Sequence, residues 1–360
     1  SSRKSREVDS EQMAAMKIVH ILPELQIGGV ERHVIDLSNE LVKKGHEVMV
    51  ISAGGQMERQ LDPKVLVRHL PVHKKNPLTG LYSAVKVAQW VRQEHWQIIH
   101  AHSRVPAWIA NWASSLAHVP WLYTAHAVYS HNLGLYPLKR ADKVICVSRA
   151  VKDDLSEYIP ANSEVIYNGL PESVPQWRPR DGDTPVILAV GRLTRLKGID
   201  TVLQALALLK QEGIRRWKFV IVGDGPQKRE LEERAVSLDV APQVEFTGYK
   251  EDIIERLLKC SCYVLPSLSE GMGLTLMLAV KMGVPVLASD LPAICELALE
   301  GEKLLPPSEI SAWTCSLRRV LSGCLEAAPK FDESVLLTEA QMAGKLLAIY
   351  QNLNAPCAEK

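Results

Sequence analysis

The amino-acid sequence predicts an α/β protein made of two domains, each built on a parallel β-sheet covered by helices on both faces. Three observations support this fold class. The chain has 360 residues, which exceeds the usual size of one domain. Short apolar segments alternate with amphipathic segments along most of it. The alternation stops at 171–184, which is proline-rich and polar, and then restarts, so this segment is the predicted linker.

Local patterns predict each element of the first domain, residues 16–171. The apolar segment 17–23 is typical of a buried strand, and apolar residues then recur at helical spacing from Val30 to Leu41. Gly45 is well placed to end that helix. The same patterns predict strands at 46–52, 65–72, 97–103, 121–128 and 143–148, helices at 79–95 and 105–117, and a closing segment at 165–169.

The second domain, residues 185–330, repeats this alternation. Residues 335–353 follow it as a last amphipathic helix, in which Met342, Leu346 and Tyr350 share one face. Strands are predicted at 185–191, 217–223, 243–248, 262–267 and 284–289, with helices at 198–212, 227–238, 251–259 and 273–282 between them.

Composition excludes several classes of protein. The formal net charge is +1, so nothing indicates nucleic-acid binding, and no apolar segment reaches the length of a membrane span. The seven cysteines are odd in number and form no C-x-x-C pair, which indicates reduced thiols in a cytoplasmic protein. Residues 1–15 are polar, and we expect them to be a leader outside the fold.

Ligands of open α/β sheets bind beyond the carboxyl ends of the strands, against helix N-termini, so the strand-to-helix junctions are the candidate sites. Gly28 and Gly29 follow the first strand and either bind an anion or form a plain tight turn. Arg192 and Lys197 lie between the first strand and first helix of the second half, where both can converge on a diphosphate. The alternative there is a solvated basic loop.

Two further junctions of the second half carry candidate residues. Gly223 and Asp224 end another strand, where Asp224 can contact a ligand or simply form the turn. After the fourth strand, Glu270 precedes a glycine-rich bend and a helix, and we expect this carboxylate to accept hydrogen bonds from sugar hydroxyls. We expect the backbone N–H groups of that bend to face phosphate. The bend and the helix start include Gly271, Gly273, Leu274 and Thr275.

Histidines mark the ends of two strands in the first half. His126 ends one strand and is expected to face the cleft between the two domains. There it either bonds a sugar ligand or is a structural histidine whose hydrogen bonds are made within the protein. His100 and His102 form an H-x-H pair on another strand and therefore share a face. A metal site is conceivable there, but no third ligand lies at a recognisable spacing. The sequence therefore predicts no metal site and no cofactor.

Nine motifs in a fixed order resemble one known family. Together they run from about Lys17 to Pro307, and they resemble the retaining glycosyltransferases of family 4, of the group 1 type. The resemblance implies the GT-B fold, in which two Rossmann-like, doubly wound domains face each other across a cleft. It also implies that helix 335–353 packs back onto the first domain. The motifs are GGVERHV, HAHS, TAH, VSRAV, VIYNG, GRLTRLKG, VGDGP, VEFTG and PSLSEGMGLTLMLAVKMGVPVLASD.

The resemblance implies a role for each matching position in holding a nucleotide-diphosphate sugar. It places Gly28 and Gly29 against the donor phosphates or the transferred sugar, and Arg192 and Lys197 on the diphosphate. The remaining implied contacts are Glu270 and His126 to the sugar, and the amides of Leu274 and Thr275 to phosphate. These residues would stabilise the leaving diphosphate without a metal. The expected reaction is transfer of a hexose-type sugar, such as that of a UDP donor, with retention of anomeric configuration.

One position departs from the family pattern. The family has a second Glu eight residues after Glu270, which bonds the nucleotide ribose, whereas this chain has Leu278. A lost charge-assisted hydrogen bond costs about 1.5–3 kcal/mol. Another residue holds the ribose, or the donor binds weakly or differently, or the chain is a catalytically impaired GT-B binding protein. A non-transferase GT-B enzyme, such as a sugar-nucleotide epimerase, is a further alternative.

The acceptor is expected to be a glycan or glycolipid of the polysaccharide or lipopolysaccharide type, bound by the first domain. Basic and aromatic residues are enriched there, and they either dock the protein on an anionic membrane or fill helix–sheet contacts. Docking would place the protein at the inner face of the cytoplasmic membrane. The residues concerned are Lys74, Lys75, Lys86, Trp90, Arg92, Trp96, Trp108, Trp112, Trp121 and Lys139.

Overall fold

The computed structural model describes residues 15–179, 184–324 and 328–355, and two parallel sheets organise them. The predicted α/β fold class is confirmed. The predicted leader lies, apart from Ala15, outside the described residues, as do residues 180–183 of the predicted linker. Within the described ranges, every helix is too short or too polar to cross a lipid bilayer.

The first sheet has seven strands in the order β3-β2-β1-β4-β5-β6-β7, all parallel. Its strands are apolar because helices cover both faces. The strands are β1 (Lys17–Ile21), β2 (Glu47–Ser52), β3 (Leu66–His69), β4 (Ile98–Ala101), β5 (Trp121–Ala125), β6 (Lys143–Cys146) and β7 (Glu164–Val165). The helices between them are α1 (Gly29–Lys43), α2 (Pro77–Glu94), α3 (Arg104–Ala117) and α4 (Arg149–Asp154), with 3₁₀ helices at Gln56–Gln60 and Leu133–Arg140.

The second sheet has five parallel strands in the order β11-β10-β9-β12-β13. A small parallel pair, β8 (Gly169–Leu170) with β14 (Leu337–Thr338), lies apart from both sheets. The strands of the second sheet are β9 (Val186–Val190), β10 (Lys218–Val222), β11 (Val244–Gly248), β12 (Cys262–Leu265) and β13 (Val286–Ala288). Its helices are α5 (Ile199–Gln211), α6 (Lys228–Ser237), α7 (Ile253–Lys259), α8 (Leu274–Lys281), α9 (Pro292–Cys295) and α10 (Ile310–Leu321).

The last helix, α11 (Glu339–Asn354), packs against α1 on the first sheet. The helix face predicted from the sequence is buried there, and it consists of Met342, Leu346 and Tyr350. The helix begins later than the predicted residue 335 because Thr338 caps it: the Thr338 hydroxyl accepts from the N–H of Gln341, whose side chain accepts from the N–H of Thr338.

Contacts at the carboxyl edges join the two sheets. A Cβ on Gly271, which follows β12, would collide with the carbonyl oxygen of His126, which follows β5, so the two backbones touch. Glu296 of the second half accepts hydrogen bonds from the N–H groups of Arg149 and Ala150 at 2.9 and 2.6 Å. The carboxyl ends of the strands in the two sheets therefore face each other, as ligand binding between them requires.

Candidate active site

Three loops form the second-sheet side of the candidate site, and each follows a strand end. The loop after β9 runs from Gly191 to Gly198, and the loops after β10 and β12 pack against it. Gly198 has φ +62°, and a Cβ there would collide with the carbonyl oxygen of Pro266. Gly223 has φ +137° and leaves no room for a Cβ beside Gly191. Glycine at both positions therefore allows the loops to meet backbone to backbone.

Lys197 and Glu270 form an ion pair at the centre of these loops. The Lys197 Nζ lies 2.5 Å from the Glu270 Oε1, and the Ser267 hydroxyl donates to the same oxygen at 2.6 Å. The Glu270 side chain is 7% exposed, and that of Lys197 is 28% exposed. The structure thus brings together two predicted site residues and leaves the ammonium accessible to a further anion.

Arg192 is the second predicted cation, and it is exposed at the edge of the cleft. In the part of the chain that the structure describes, its guanidinium has no hydrogen-bond partner. Arg192 nevertheless interacts electrostatically with Glu31, near the start of α1. Burial raises the pKa of Glu31, and the positive charge of Arg192 partly offsets that rise. Arg192 of the second half therefore lies close to the helix that begins at Gly29 of the first half.

The start of α8 offers backbone N–H groups. Gly273 has φ +69° and is the N-cap residue, and no side chain caps this helix. The first amides of a helix lack intrahelical partners, so those of Leu274 and Thr275 can bind an anion. The apolar Leu278 lies one turn further along and is 8% exposed.

Asp224 serves the turn in this structure. Its Oδ1 accepts a hydrogen bond from the N–H of Gly225 at 2.8 Å, and its Oδ2 lies 3.6 Å from the Nζ of Lys228. These contacts match the turn-forming alternative. The side chain is still exposed, so its predicted contact with a donor stays a prediction.

On the first-sheet side, Gly28 and Gly29 open α1. Gly28 is extended, with φ 169°, and a Cβ on it would collide with the carboxylate of Glu31. No atom lies within 4 Å of the Cβ position of Gly29, so that surface is open. The glycine pair thus forms a helix start without side chains, beside Glu31 and Arg192.

His126 ends β5 as predicted and belongs to a chain of histidines. Its Nε2 lies 3.2 Å from the Nδ1 of His102, and the Nε2 of His102 lies 3.0 Å from the Nδ1 of His20. Burial lowers the pKa of His126 well below its ordinary value, so its imidazole is neutral at physiological pH. It can therefore bond a sugar hydroxyl through a neutral ring.

Sequence reasoning missed His20 and His33. His20 lies opposite His100 in the β1–β4 register, and His33 lies on α1 with its ring centroid 4.7 Å from that of His126. The fold thus places further histidines beside the H-x-H pair, although none lies at a recognisable spacing in the sequence. Aligning β1 with β4 would have found His20, whereas His33 depends on how α1 packs against the sheet.

Two facing parallel-sheet domains with phosphate-binding features at their carboxyl edges are characteristic of the GT-B architecture. The model of "Glycosyltransferase Family 4" matches residues 27–174, and that of "Glycosyl transferases group 1" matches residues 173–333. The chain is therefore a GT-B-fold glycosyltransferase of the group 1 type.

Known proteins similar to this chain agree with that assignment. An uncharacterized glycosyltransferase of Methanocaldococcus jannaschii is 28% identical, over 76% of this chain and 79% of its own length. The alpha-monoglucosyldiacylglycerol synthase of Streptococcus pneumoniae is 26% identical, over 76% of this chain and 70% of its own length. The crystal structure of Anabaena HepE with UDP and glucose has a TM-score of 0.73 at 22% identity, covering 94% of this chain and 95% of that one.

Proposed function

We propose that this chain transfers a hexose-type sugar from a nucleotide-diphosphate donor to a glycan or glycolipid acceptor, with retention of anomeric configuration. The observation that carries the proposal is the Lys197–Glu270 pair at 2.5 Å, with its ammonium still accessible. The uncapped start of α8 and the guanidinium of Arg192 surround the same cleft. A UDP donor fits these features, and HepE, which shares the fold, has been solved with UDP and glucose.

Cleavage of the donor leaves negative charge on the diphosphate. In the proposed reaction Lys197, Arg192 and the first amides of α8 stabilise that charge, and electrostatic stabilisation of this kind dominates many enzymatic reactions. With these positive groups the diphosphate needs no metal ion beside it. Glu270 accepts hydrogen bonds from the sugar hydroxyls, and neutral His126 bonds the sugar from the opposite wall. The glycines at 28, 29, 223, 271 and 273 let the backbone approach the donor.

A panel of sugar nucleotides tests this proposal. We expect transfer or slow hydrolysis with one donor, and a 10- to 150-fold loss of kcat/KM in Arg192→Ala and Lys197→Ala, because each loses a charge-assisted hydrogen bond worth about 1.5–3 kcal/mol. Arg195→Ala is the matched control, since Arg195 lies in the same loop, and its side chain is 80% exposed and bonds Glu230, at 3.5 Å.

The products separate the competing functions. Retention requires that the product has the anomeric configuration of the donor, which NMR of the purified product reports. Nucleotide binding without turnover across the panel would contradict transfer and support the catalytically impaired binding protein that Leu278 suggests. Conversion of the donor to its epimer without transfer would support the epimerase.

We also propose that the first domain docks on an anionic membrane that carries a lipid-linked acceptor. The tryptophans alone do not carry this idea, because Trp96 and Trp121 are buried in the core. The supporting surface is instead an apolar patch near the start of α2 and in the 3₁₀ helix Leu133–Arg140. Its exposed residues are Leu78 (77%), Leu81 (50%), Tyr82 (53%), Leu133 (84%) and Tyr136 (50%).

An aromatic ridge connects the two parts of this patch. The ring of Trp112 lies against Gly80 of α2, Trp112 lies 5.5 Å from Trp108, and Trp108 stacks on Tyr136 at 6.1 Å. Exposed Lys74, Lys75, Lys139 and Arg140 flank the patch. Apolar side chains bordered by basic ones are typical of a surface that binds anionic lipid. The start of α2 follows β3, and the 3₁₀ helix follows β5. Because the carboxyl ends of the strands face the cleft, the patch borders the cleft.

Sedimentation with liposomes containing anionic lipid tests the docking. We expect wild type to sediment at low salt, and Leu78→Ser/Leu81→Ser to bind about 10-fold or more weakly because two exposed apolar side chains are lost. Leu208→Ser/Val236→Ser removes exposed apolar groups from the second domain (41% and 68%) and should sediment like wild type. Wild type that stays in solution at low salt would contradict membrane docking while leaving the transfer proposal intact.

A further inference from the structure

Five histidines cluster at the carboxyl edge of the first sheet, more than the proposed transfer uses. His20 and His100 lie on neighbouring strands, His102 and His126 follow strand ends, and His33 lies on α1. Four of them are buried, and His126 is partly exposed. The ring centroids of His100 and His102 are 4.0 Å apart, and those of His33 and His126 are 4.7 Å apart.

Three of these residues have the spacing of a metal site. His33, His102 and His126 each offer one ring nitrogen within 4.8 Å of the others. A tetrahedral Zn²⁺ site with Zn–N bonds of about 2.0–2.1 Å separates its nitrogens by about 3.3 Å. The Nδ1 of His102 and the Nε2 of His126 are 3.2 Å apart. Small side-chain rotations would therefore bring all three nitrogens within bonding distance of one ion.

His33 offers a ring nitrogen that makes no hydrogen bond to any described residue. Its Nδ1 lies 2.9 Å from the Oδ1 of Asn168, and a carbonyl oxygen only accepts, so Nδ1 carries the hydrogen and Nε2 carries the lone pair. That Nε2 is buried and has no hydrogen-bond partner among the described residues. A metal-binding histidine characteristically donates its other N–H to a carbonyl or carboxylate in this way.

The other two histidines also fit the role of ligands. When the Nδ1 of His102 binds a metal, its Nε2–H can donate to the Nδ1 of His20, 3.0 Å away. Burial lowers the pKa of His33 to about 4 and holds the pKa values of His102 and His126 well below the ordinary range. All three imidazoles are thus neutral at physiological pH, as metal ligation requires.

We propose that His33, His102 and His126 bind one divalent transition-metal ion of the Zn²⁺ type, with the fourth coordination position open to the cleft. Imidazole ligands without thiolate or carboxylate suit Zn²⁺, Cu²⁺ and Ni²⁺ rather than Mg²⁺ or Ca²⁺. An ion there engages the Nε2 of His126, so we expect it to inhibit transfer. That last consequence rests on the proposed function, whereas metal binding does not.

Titration of the untagged protein with Co²⁺, a spectroscopic substitute for Zn²⁺, tests the site. Wild type should show the intense visible absorption of four-coordinate Co²⁺, saturating at one ion per chain and displaced by Zn²⁺. His33→Gln and His126→Gln should bind at least about 100-fold more weakly, because loss of an outer-shell partner alone costs 10- to 100-fold. His73→Gln, at an exposed histidine outside the cluster, should keep wild-type absorption.

Two results would overturn the site: no such absorption in wild type, or absorption that persists in both His33→Gln and His126→Gln. Circular dichroism reports whether the variants are folded. If they are not, NMR of the wild-type imidazole nitrogens decides, since Zn²⁺ must shift the signals of three histidines at one equivalent. A spectrum unchanged by Zn²⁺ would contradict the proposal whatever the donor panel shows.

Discussion

At the scale of single residues, Gly271 is the glycine of the candidate site at which the two halves of the molecule touch. A Cβ there would collide with the carbonyl oxygen of His126 in the other half of the molecule. The contact is between backbones, so no side-chain rotation relieves it. A residue in the glycine-rich bend thereby determines how closely the two walls of the cleft approach each other.

Replacement of Gly271 tests this contact. We expect Gly271→Ala to lower kcat/KM about 10- to 100-fold, because displaced reacting groups lose the alignment that makes their reaction fast. Gly344→Ala is the matched control, since no atom lies within 4 Å of its Cβ position in α11. Steady-state kinetics and thermal unfolding of both variants provide the measurement. A Gly271→Ala enzyme with wild-type kcat/KM would show that the close approach is not needed for turnover.

The sequence indicates which residues of the candidate site carry the chemistry, but it does not indicate which of those residues bond each other. Lys197 and Glu270 each follow from the residue type and from their junctions, yet nothing in the sequence indicates that they bond each other at 2.5 Å. Their loops are 73 residues apart in the chain and meet only because β9 and β12 are neighbours in the sheet. Strand order is a tertiary property that local patterns do not encode.

At the scale of elements, α8 carries the departure from the family pattern. Leu278→Glu should tighten donor binding about 10- to 150-fold if the ribose lies against this helix, because it restores a charge-assisted hydrogen bond. The position is 8% exposed, so the donor-free variant should be less stable by about 1–3 kcal/mol. Calorimetry with the nucleotide and chemical unfolding measure the two effects. Leu278→Met controls for side-chain replacement, and no gain in affinity with intact turnover would contradict the pose.

The packing of α1 against α11 buries acidic groups. Burial raises the pKa of Asp36 from 3.8 to about 6, and Glu339 and Glu40 add to the rise while Arg32 opposes it. Because the folded pKa is above the unfolded value, the native state binds more protons between them. The contribution of Asp36 to the free energy of unfolding therefore falls as the pH rises from about 4 to about 6, and it is lowest above that range.

The amide variant Asp36→Asn should therefore be more stable than wild type at about pH 7, by up to about 3 kcal/mol, and the difference should vanish near pH 4. Urea unfolding at both pH values measures it. Asp252→Asn, in an exposed Asp–Arg pair of the same i,i+4 spacing, should change stability by less than about 0.5 kcal/mol. A difference between Asp36→Asn and wild type that does not vary with pH would contradict the raised pKa.

The periodicity of the sequence predicted the strands of both sheets well, because apolar runs between helices leave few alternatives. It did not identify α10, although Trp313, Leu317 and Val320 are buried at helical spacing. The 3₁₀ helix Leu133–Arg140 was also missed, because it is only eight residues long and contains Pro137. A short 3₁₀ helix of this kind is fixed by tertiary contacts rather than by its own pattern.

At the scale of the whole molecule, the predicted linker contacts the second half through Trp177. Trp177 donates from its backbone N–H to the carbonyl of Met282 at 2.7 Å, and from its ring N–H to that of Cys260 at 2.7 Å. A proline-rich, polar composition predicted a connection between domains, but it did not reveal this anchoring. The described part of the segment is thereby anchored to the second half of the molecule at Trp177.

Glu296 makes the two halves less interchangeable than their separate sheets suggest. Its carboxylate accepts from the first two amides of α4 and from the hydroxyl of Tyr167, all in the other half. Ser148 caps α4 from within the first half, accepting from the N–H of Val151 at 3.1 Å, but a chimera that joined this first half to a second half without the Glu296 carboxylate would leave the N–H groups of Arg149 and Ala150 without this acceptor. The protein is modular in its architecture, but its halves are matched to each other, and recombining such halves requires that the Glu296 carboxylate is transferred together with the second sheet.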